Sequence, residues 1–564
     1  MYQNGMLWIA AGENGKKICL EPAKANRHGL VAGATGTGKT VTLKVMAESF
    51  SEAGVPVFLA DVKGDLAGMV KMGTSNANVE SRVQRFGIED WSYRAYPTRF
   101  WDVYGEKGHP LRTTISEMGP LLLSRVLDLN QTQTGILNIA FRVADENGLL
   151  LLDVKDLRAI LGFISENAKE LSAEYGNITP QSVNTILRNL LYLEDQGGNV
   201  FFGEPAFDVR DWLETTYDGR GWINILHCVK LFQSPKLYST FLLWMLSELY
   251  ENLPEAGDLS KPKVVFFFDE AHLLFDDVPK ILLQKIEQVV RLVRSKGVGV
   301  YFVTQSPTDI PGDILAQLGN RVQHALRAYT PAEQKKVRAA ADTFRANPEF
   351  RTLDVIMELA TGEALISFLG DDGAPTPVER AWILPPQSHM GSIEDGERED
   401  ALRRDGIGAR YDEMVDRESA YELLAKRAEE SAREYEEYLA ELERQKQEEM
   451  QRIAEEKAEL ARQKAAEKEA LAQQKAEEKA KAAQEKEKQK KSNQRVNKVQ
   501  RIATTAASSA TRSIISNTIR RPVSKKQGIA TNALNSAFNS TVNGIGREIS
   551  GSLIRGIFGT FKKR

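Results

Sequence analysis

At 564 residues the chain has room for several domains of roughly 100–200 residues each, which excludes a single small binding module. Its 42 % hydrophobic, 8 % aromatic and 27 % charged residues are those of an ordinary folded protein and exclude global disorder. The net charge of −3 hides an asymmetry: from Lys491 to Arg564 fourteen Lys or Arg face a single acid, Glu548, so residues 1–490 carry −16 and a uniformly basic nucleic-acid binder is excluded.

The N-terminus is expected to form a hairpin, Leu7–Ile9 and Ile18–Leu20 around the turn-like Gly12 to Gly15. A strand, His28–Ala32, then runs into a glycine-rich loop. Val41, Val45, Met46 and Phe50 follow at helical spacing, Gly54 ends that pattern, and Val55–Ala60 reads as a buried strand closed by Asp61. Residues 1–65 thus give one βαβ unit, the first half of an α/β core. Residues 66–260 show mostly helical periodicity and are expected to be a helical insertion, with Ser234-Pro235 opening a helix through Leu249. Residues 261–390 return to the core through the strand Val264–Phe268, a helix of about 280–296, the strand Val300–Val303 and a further strand Ala364–Leu369. Strands alternating with helices imply a mostly parallel sheet covered on both faces. Residues 397–490 are rich in Glu, Lys, Ala, Gln and Arg and are expected to form a long charged helix, solvated or coiled-coil. Residues 491–564 form a basic tail with scattered Ile and Phe. No apolar run reaches the ~18–20 residues of a membrane span, the N-terminus carries no basic, apolar leader, and Cys19 and Cys228 cannot build a disulfide framework, so the expected location is cytoplasmic.

Gly33, Ala34, Thr35, Gly36, Thr37, Gly38, Lys39 and Thr40 fit G-x-x-x-x-G-K-[ST] between a strand and a helix, the context of a phosphate loop. Glycines let backbone N–H groups converge on phosphate oxygens, Lys39 reaches the terminal phosphates, and the Thr40 hydroxyl is placed to ligate Mg²⁺. Val264 to Phe268 end in Asp269-Glu270, where the first carboxylate suits the metal and the second the attacking water. Gln305, after the next strand, suits a γ-phosphate or water sensor, and Asp61 a second water-positioning acid. Arg294 and, second, Arg321 are the candidates for an arginine delivered to a neighbouring subunit's nucleotide. Neither cysteine has a partner at metal-ligand spacing.

The strings GLVAGATGTGKT, DVKGD from Asp61, FFFDEAHLLF, RLVRSKGVGVYFVTQSPTDIP and LGNRVQHALRAYTPAEQ together resemble the bacterial HerA-like P-loop ATPases, in particular the helicase HerA-like C-terminal domain subgroup. The resemblance covers about residues 1–390, with a weaker echo around Ile554-Arg555-Gly556. It implies an additional-strand RecA-like core using ATP and Mg²⁺, a homo-oligomeric ring, often a hexamer, and action on DNA. It also implies that Lys39, Thr40, Asp269, Glu270, Gln305 and, approximately, Arg294 hold the family's site roles. Only 32 residues precede Gly33, too few for the β-barrel that end-processing members carry there.

Two other functions stay open at this point. One is an ATP-switched assembly or signalling platform whose charged helix recruits a protein partner. The other is a motor held at an anionic membrane surface by Arg520, Arg521, Lys525 and Lys526 of the basic tail.

Overall fold

The computed structural model describes residues 1–493, except 13–14, 89–90, 258 and 277–279. The basic tail therefore lies outside the described residues from position 494 on, as do two residues of the expected N-terminal turn. The chain divides into two units, Met1–Leu424 and the part from Ala425 onward.

In the first unit the described residues form one sheet. In chain order its strands are β1 Tyr2–Gln3, β2 Met6–Gly12, β3 Lys17–Leu20, β4 Gly29–Ala32, β5 Val57–Asp61, β6 Thr98–Asp102 and β7 His109–Pro110. They continue with β8 Ile223–His227, β9 Val264–Phe268, β10 Val298–Thr304, β11 Asn320–Gln323, β12 Glu363–Ser367 and β13 Glu379–Ile383. The order across the sheet is β1-β2-β13-β12-β11-β4-β10-β9-β5-β8-β6-β7, with β3 paired to β2. From β11 to β7 every pairing is parallel, while β12, β13 and the N-terminal hairpin extend the edge antiparallel. The result is an α/β fold with a mostly parallel mixed sheet.

The central strands show no polar alternation because both of their faces are covered: β9 reads VVFFF and every residue of β9 and β10 is buried. On one face the helix Lys39–Glu52 lays Leu43, Met46 and Phe50 against the sheet, with the Phe50 ring 6.4 Å from Phe267 and 6.2 Å from Tyr301. On the other face Trp212 packs 4.5 Å from Phe58 and 5.5 Å from Phe266.

Residues 66–260 are mainly helical, including Gln131–Glu146, Val154–Glu166 and Pro180–Leu193. They are not an insertion of helices alone, because the same stretch adds β6, β7 and β8 to the sheet. The strand β6 reads TRFWD, and its arginine masks the apolar run. Arg99 is nevertheless buried, paired with Glu214 at 2.8 Å and stacked over Trp222 at 4.3 Å.

The long charged helix also begins later than the change in composition near residue 397. The helix Asp395–Arg404 belongs to the first unit, burying Ala401 and setting Arg398 4.5 Å over the Phe100 ring. Tyr411 follows, 5.5 Å from both Trp101 and Phe207. Only then does the long helix Ala420–Asn493 start; Tyr435, Leu439, Met450 and Leu460 on it are exposed. Among the described residues no helix is long and apolar enough to cross a membrane.

Candidate nucleotide site

Parallel strands deliver their following loops to one edge of the sheet, so the register of β4, β10 and β9 decides which side chains meet. Ala32 of β4 lies beside Thr304 of β10, and Phe302 of β10 beside Phe268 of β9. The loop from Gly33, the side chain of Gln305 and the pair Asp269-Glu270 therefore emerge at neighbouring strand ends.

The loop itself is fixed by close approach. Gly33 has φ 155°, donates its N–H to the Thr304 carbonyl at 3.2 Å, and a Cβ there would sit 2.5 Å from the His324 Cβ. Gly38 has φ 117° and a Cβ there would meet Gly362, whose own N–H donates to the Thr37 carbonyl at 2.9 Å. Two walls therefore hold the loop, β10 on one side and the turn before β12 on the other. Lys39 folds back inside it, its Nζ donating to the carbonyls of Gly33 at 2.6 Å and Ala34 at 3.3 Å. Burial draws its pKa below the usual lysine range, with Asp269 and Glu270 opposing that shift. Thr40 is half-buried in the first turn of the helix.

Asp269 is the most perturbed carboxyl here. Burial, with the like charge of Glu270 second, pushes it up to about 7, while Lys63 and Lys39 pull the other way. Its Oδ1 accepts the Glu270 N–H at 2.9 Å. Glu270 has φ 47°, ψ 45°, a left-handed backbone that a non-glycine residue adopts only at a cost. Its Oε2 lies 3.5 Å from both the Gln305 Nε2 and the His272 Nδ1. The capping box after β10, in which Asp309 Oδ2 accepts from the Thr304 hydroxyl and the Ser306 N–H at 3.0 Å each, fixes where Gln305 leaves the strand.

Three expected residues lie elsewhere. Asp61 ends β5, three strand positions from the loop strand, or roughly 14 Å at ordinary spacing, rather than beside the loop. Both its oxygens are engaged, accepting N–H groups of Gly64 at 2.8 Å and Leu66 at 3.1 Å. Burial and Asp65 raise its pKa to about 6. Arg321 donates to the backbone carbonyls of Leu318, Leu315 and Thr343, so its guanidinium braces turns. Arg294 precedes β10 and so belongs to the opposite end of the sheet, about 20 Å of strand away from the loop.

Sequence reading missed His324 and Gly362. His324 is fully buried; its Nε2 meets the Thr42 hydroxyl at 2.8 Å and its Nδ1 the Glu363 carbonyl at 2.9 Å. A carbonyl can only accept, so Nδ1 carries the proton and Thr42 donates to Nε2. Burial lowers its pKa to about 4 and keeps the ring neutral. His324 stands in the quoted string LGNRVQHALRAYT, but only the fold brings it to the loop.

The glycine cradle and the buried Asp269, whose pKa burial and Glu270 raise, fit a magnesium–nucleotide complex. No group of three or more His, Cys, Asp or Glu converges among the described residues, so a cation would draw ligands from Thr40, Asp269 and the phosphates together.

The helicase HerA-like C-terminal family matches residues 7–481. The DNA double-strand break repair helicase HerA of Sulfurisphaera tokodaii is 23 % identical over 363 residues, covering 60 % of this chain and 62 % of that protein. The protein of the same name from Sulfolobus acidocaldarius is 21 % identical over 362 residues, covering 62 % and 63 %. The chain thus spans less than two thirds of the length of these curated relatives. Among solved structures, the bacterial conjugative coupling protein TrwB aligns with a TM-score of 0.46 at 14 % identity, covering 70 % of this chain and 92 % of that one. VirB4 of Thermoanaerobacter pseudethanolicus aligns with a TM-score of 0.44 at 15 % identity, covering 68 % and 97 %.

Proposed function

This chain belongs to the helicase HerA-like C-terminal family, and from that premise we propose that it is a Mg²⁺-dependent ATPase motor, assembled as a homo-oligomeric ring, a hexamer in its full form, that acts on DNA. One observation carries the reading: the phosphate loop, Asp269-Glu270 and Gln305 leave three neighbouring strand ends at one edge of the sheet. In this reading Lys39 turns from the Gly33 and Ala34 carbonyls to the phosphates, and Thr40 and Asp269 hold Mg²⁺, which supplies charge neutralisation at the phosphates. Glu270, oriented by Gln305 and His272, accepts a proton from the attacking water. Asp61 contributes by bracing its loop, and Arg294 serves the adjacent subunit's nucleotide. The DNA component rests on the names of the HerA relatives and on family membership.

A second reading, an ATP-switched platform, draws on the exposed apolar side chains Tyr435, Tyr438 and Leu439 of the long helix, which offer a surface to a protein partner.

An ATPase assay with and without single- and double-stranded DNA, at low and moderate salt, tests both. DNA-stimulated turnover that falls with salt supports the motor; ATP-dependent assembly with turnover indifferent to DNA supports the platform. Within the same assay Lys39→Ala is expected to lose nucleotide binding. Glu270→Gln is expected to bind ATP but turn over about 10²-fold more slowly, and wild-type rates in both would remove the site assignment.

A further inference from the structure

A cavity of about 460 Å³ opens between the helices Ile115–Val126, Pro180–Leu193 and Pro235–Asn252, and no residue of the phosphate loop lines it. That volume falls within the roughly 300–1,000 Å³ of small-molecule sites. Val126, Leu193, Leu237 and Leu273 make much of the wall apolar, and Tyr192, 65 % exposed, adds an aromatic ring. Gln196 joins them from the π-helical turn Glu194–Gly198, a widening of the helix that recurs at binding sites.

Arg125 gives this wall its chemistry. Its Nη2 donates to the Ser239 hydroxyl at 3.0 Å, while Nη1 is enclosed and completes no hydrogen bond. Burial draws its pKa below the usual arginine range, and no neighbouring carboxylate opposes that shift. The other charged lining residues do not change this: Lys236 pairs with Asp128 at 2.7 Å, and Asp276 is exposed. The helix Pro235–Asn252 also begins at the cavity, and its cap residue Ser234 makes no side-chain cap hydrogen bond, so the positive end of the helix adds to the same field. A guanidinium drawn out of water without a countercharge is costly, and an anion in the cavity would offset that cost. One such cation in a largely apolar wall calls for one negative charge, since a dianion would leave a surplus charge in the same surroundings. A carboxylate on an apolar body fits both the guanidinium fork and the wall.

The cavity is joined to the candidate nucleotide site by two short paths. Leu273 belongs to the turn Ala271–Leu274 directly after Glu270, and its N–H donates to the Glu270 carbonyl at 3.1 Å. The helix that carries Leu237 and Ser239 also carries Tyr238, whose hydroxyl donates to the Asp269 carbonyl at 2.6 Å. We propose that this cavity is a regulatory site for a small apolar monocarboxylate, whose charge Arg125 neutralises and whose occupancy is transmitted through Leu273 and Tyr238 to the Asp269-Glu270 pair. The effect on turnover rests on the reading of that pair as part of an ATP site; the binding site itself does not.

The test titrates the full-length protein with 4-phenylbutyrate, and with the neutral 4-phenylbutanamide as its control, by saturation-transfer NMR. The acid is expected to bind saturably with a Kd on the order of 1 mM, ordinary for a ligand of about a dozen non-hydrogen atoms. The amide is expected to bind about 10-fold or more weakly, because it brings no charge to Arg125. Arg125→Gln, which removes the cation, and Val126→Trp, which fills the cavity and keeps the cation, should each weaken the acid to the level of the amide. Should Arg125→Gln fail to fold, Val126→Trp and the amide decide the matter. At saturating acid, hydrogen exchange across residues 270–276 should slow about 2-fold or more and ATP turnover should change with it, in wild type and in neither variant. Equal binding of acid and amide, binding unchanged in both variants, or no binding by either compound overturns the site. Selective binding that leaves exchange across residues 270–276 unchanged overturns its regulatory role. If wild-type protein hydrolyses no ATP, the functional reading fails on its own, and the titration together with the exchange measurement decides this proposal as before.

Discussion

Asp269 shows what a single residue contributes when burial and a like-charged neighbour outweigh the cations around it. Its folded pKa, about 7, lies above the ordinary carboxylate value near 3.9, so between those pH values the folded state holds more protons than the unfolded state. Stability then falls as pH rises through this window, and near neutral pH the nucleotide-free protein carries the cost of ionising a buried carboxylate that Lys63 and Lys39 offset only in part. Asp269→Asn is therefore expected to raise the melting temperature of the nucleotide-free protein by about 2–5 °C at pH 7.5 and to flatten its decline between pH 5 and 7.5. The same change should remove the extra stabilisation that Mg²⁺ with ATP gives over ATP alone. Thermal melts across pH with and without Mg·ATP check both halves, and a lower melting temperature for Asp269→Asn would contradict the account. His324 is the complementary case: neutral because buried, it joins the helix of the phosphate loop to β12 through Thr42 and the Glu363 carbonyl. Since its pKa is near 4, turnover at pH 5.5–8 is not expected to report its titration. His324→Ala leaves the Thr42 hydroxyl and the Glu363 carbonyl without this partner. It should weaken ATP binding roughly 10-fold, the scale of one or two lost buried hydrogen bonds, as measured by direct titration.

At the scale of an element, the helix Lys39–Glu52 shows both how far periodicity carries and where it ends. The spacing of Val41, Val45, Met46 and Phe50 identifies the face that meets the sheet. Lys44 and Glu48 stand four residues apart in this helix, the spacing at which exposed ion pairs form, yet both are buried. The segment after β13 folds over them: Lys44 Nζ donates to the His389 carbonyl at 2.7 Å, and Glu48 accepts from the N–H groups of Gln387 at 2.8 Å and Ser388 at 3.1 Å and from the Ser388 hydroxyl. A contact more than 300 residues distant in sequence has no local signature. Asp269-Glu270 and Gln305 follow strands that their own apolar runs announce, whereas the place of Asp61 relative to the loop has no local signature. Its position depends on sheet order, which puts β10 and β9 between β5 and β4. The strand β6 was hidden because the burial of Arg99 depends on Glu214 and Trp222. Glu48→Leu should be strongly destabilising, by about 3 kcal/mol or more, because three donors lose their acceptor and Lys44 its countercharge. Urea unfolding measures this, and a change below about 1 kcal/mol would show that water replaces the carboxylate.

At the scale of the molecule, the compact first unit ends well inside the charged C-terminal region, and the reason is a series of ties made by residues 395–424. His109 sits between Asp405 at 3.0 Å and Asp412 at 2.6 Å. Asp211 accepts from Arg410 and Tyr411, Arg417 pairs with Glu204, and Asp156 accepts from the Ser419 hydroxyl at 2.6 Å and the Tyr421 N–H at 2.8 Å. All of the partners on the insertion side belong to residues 66–260, so this segment closes the insertion from outside. Burial works against the charged form of His109, but its hydrogen bonds to the two aspartates outweigh burial and raise the pKa above 6.5. A raised histidine pKa contributes stability that is complete below about 6.5 and lost as pH climbs through the folded value. A chain ending at Leu424 keeps every tie named here and is expected to melt within about 2 °C of full length and to bind ATP equally well. A chain ending at Glu394 loses all of them, uncovers the Trp101 and Phe207 rings, and strands Asp156 and Asp211 in the insertion. It should melt at least 10 °C lower or fail to fold, because several buried polar groups lose partners at about 1–3 kcal/mol each. In the full-length protein, hydrogen exchange across residues 395–412 should quicken from pH 6 to pH 8.5 relative to the intrinsic rate, and His109→Gln should abolish that difference. Equal melting of the two truncated chains would mean that residues 395–424 lie on the first unit without holding it together.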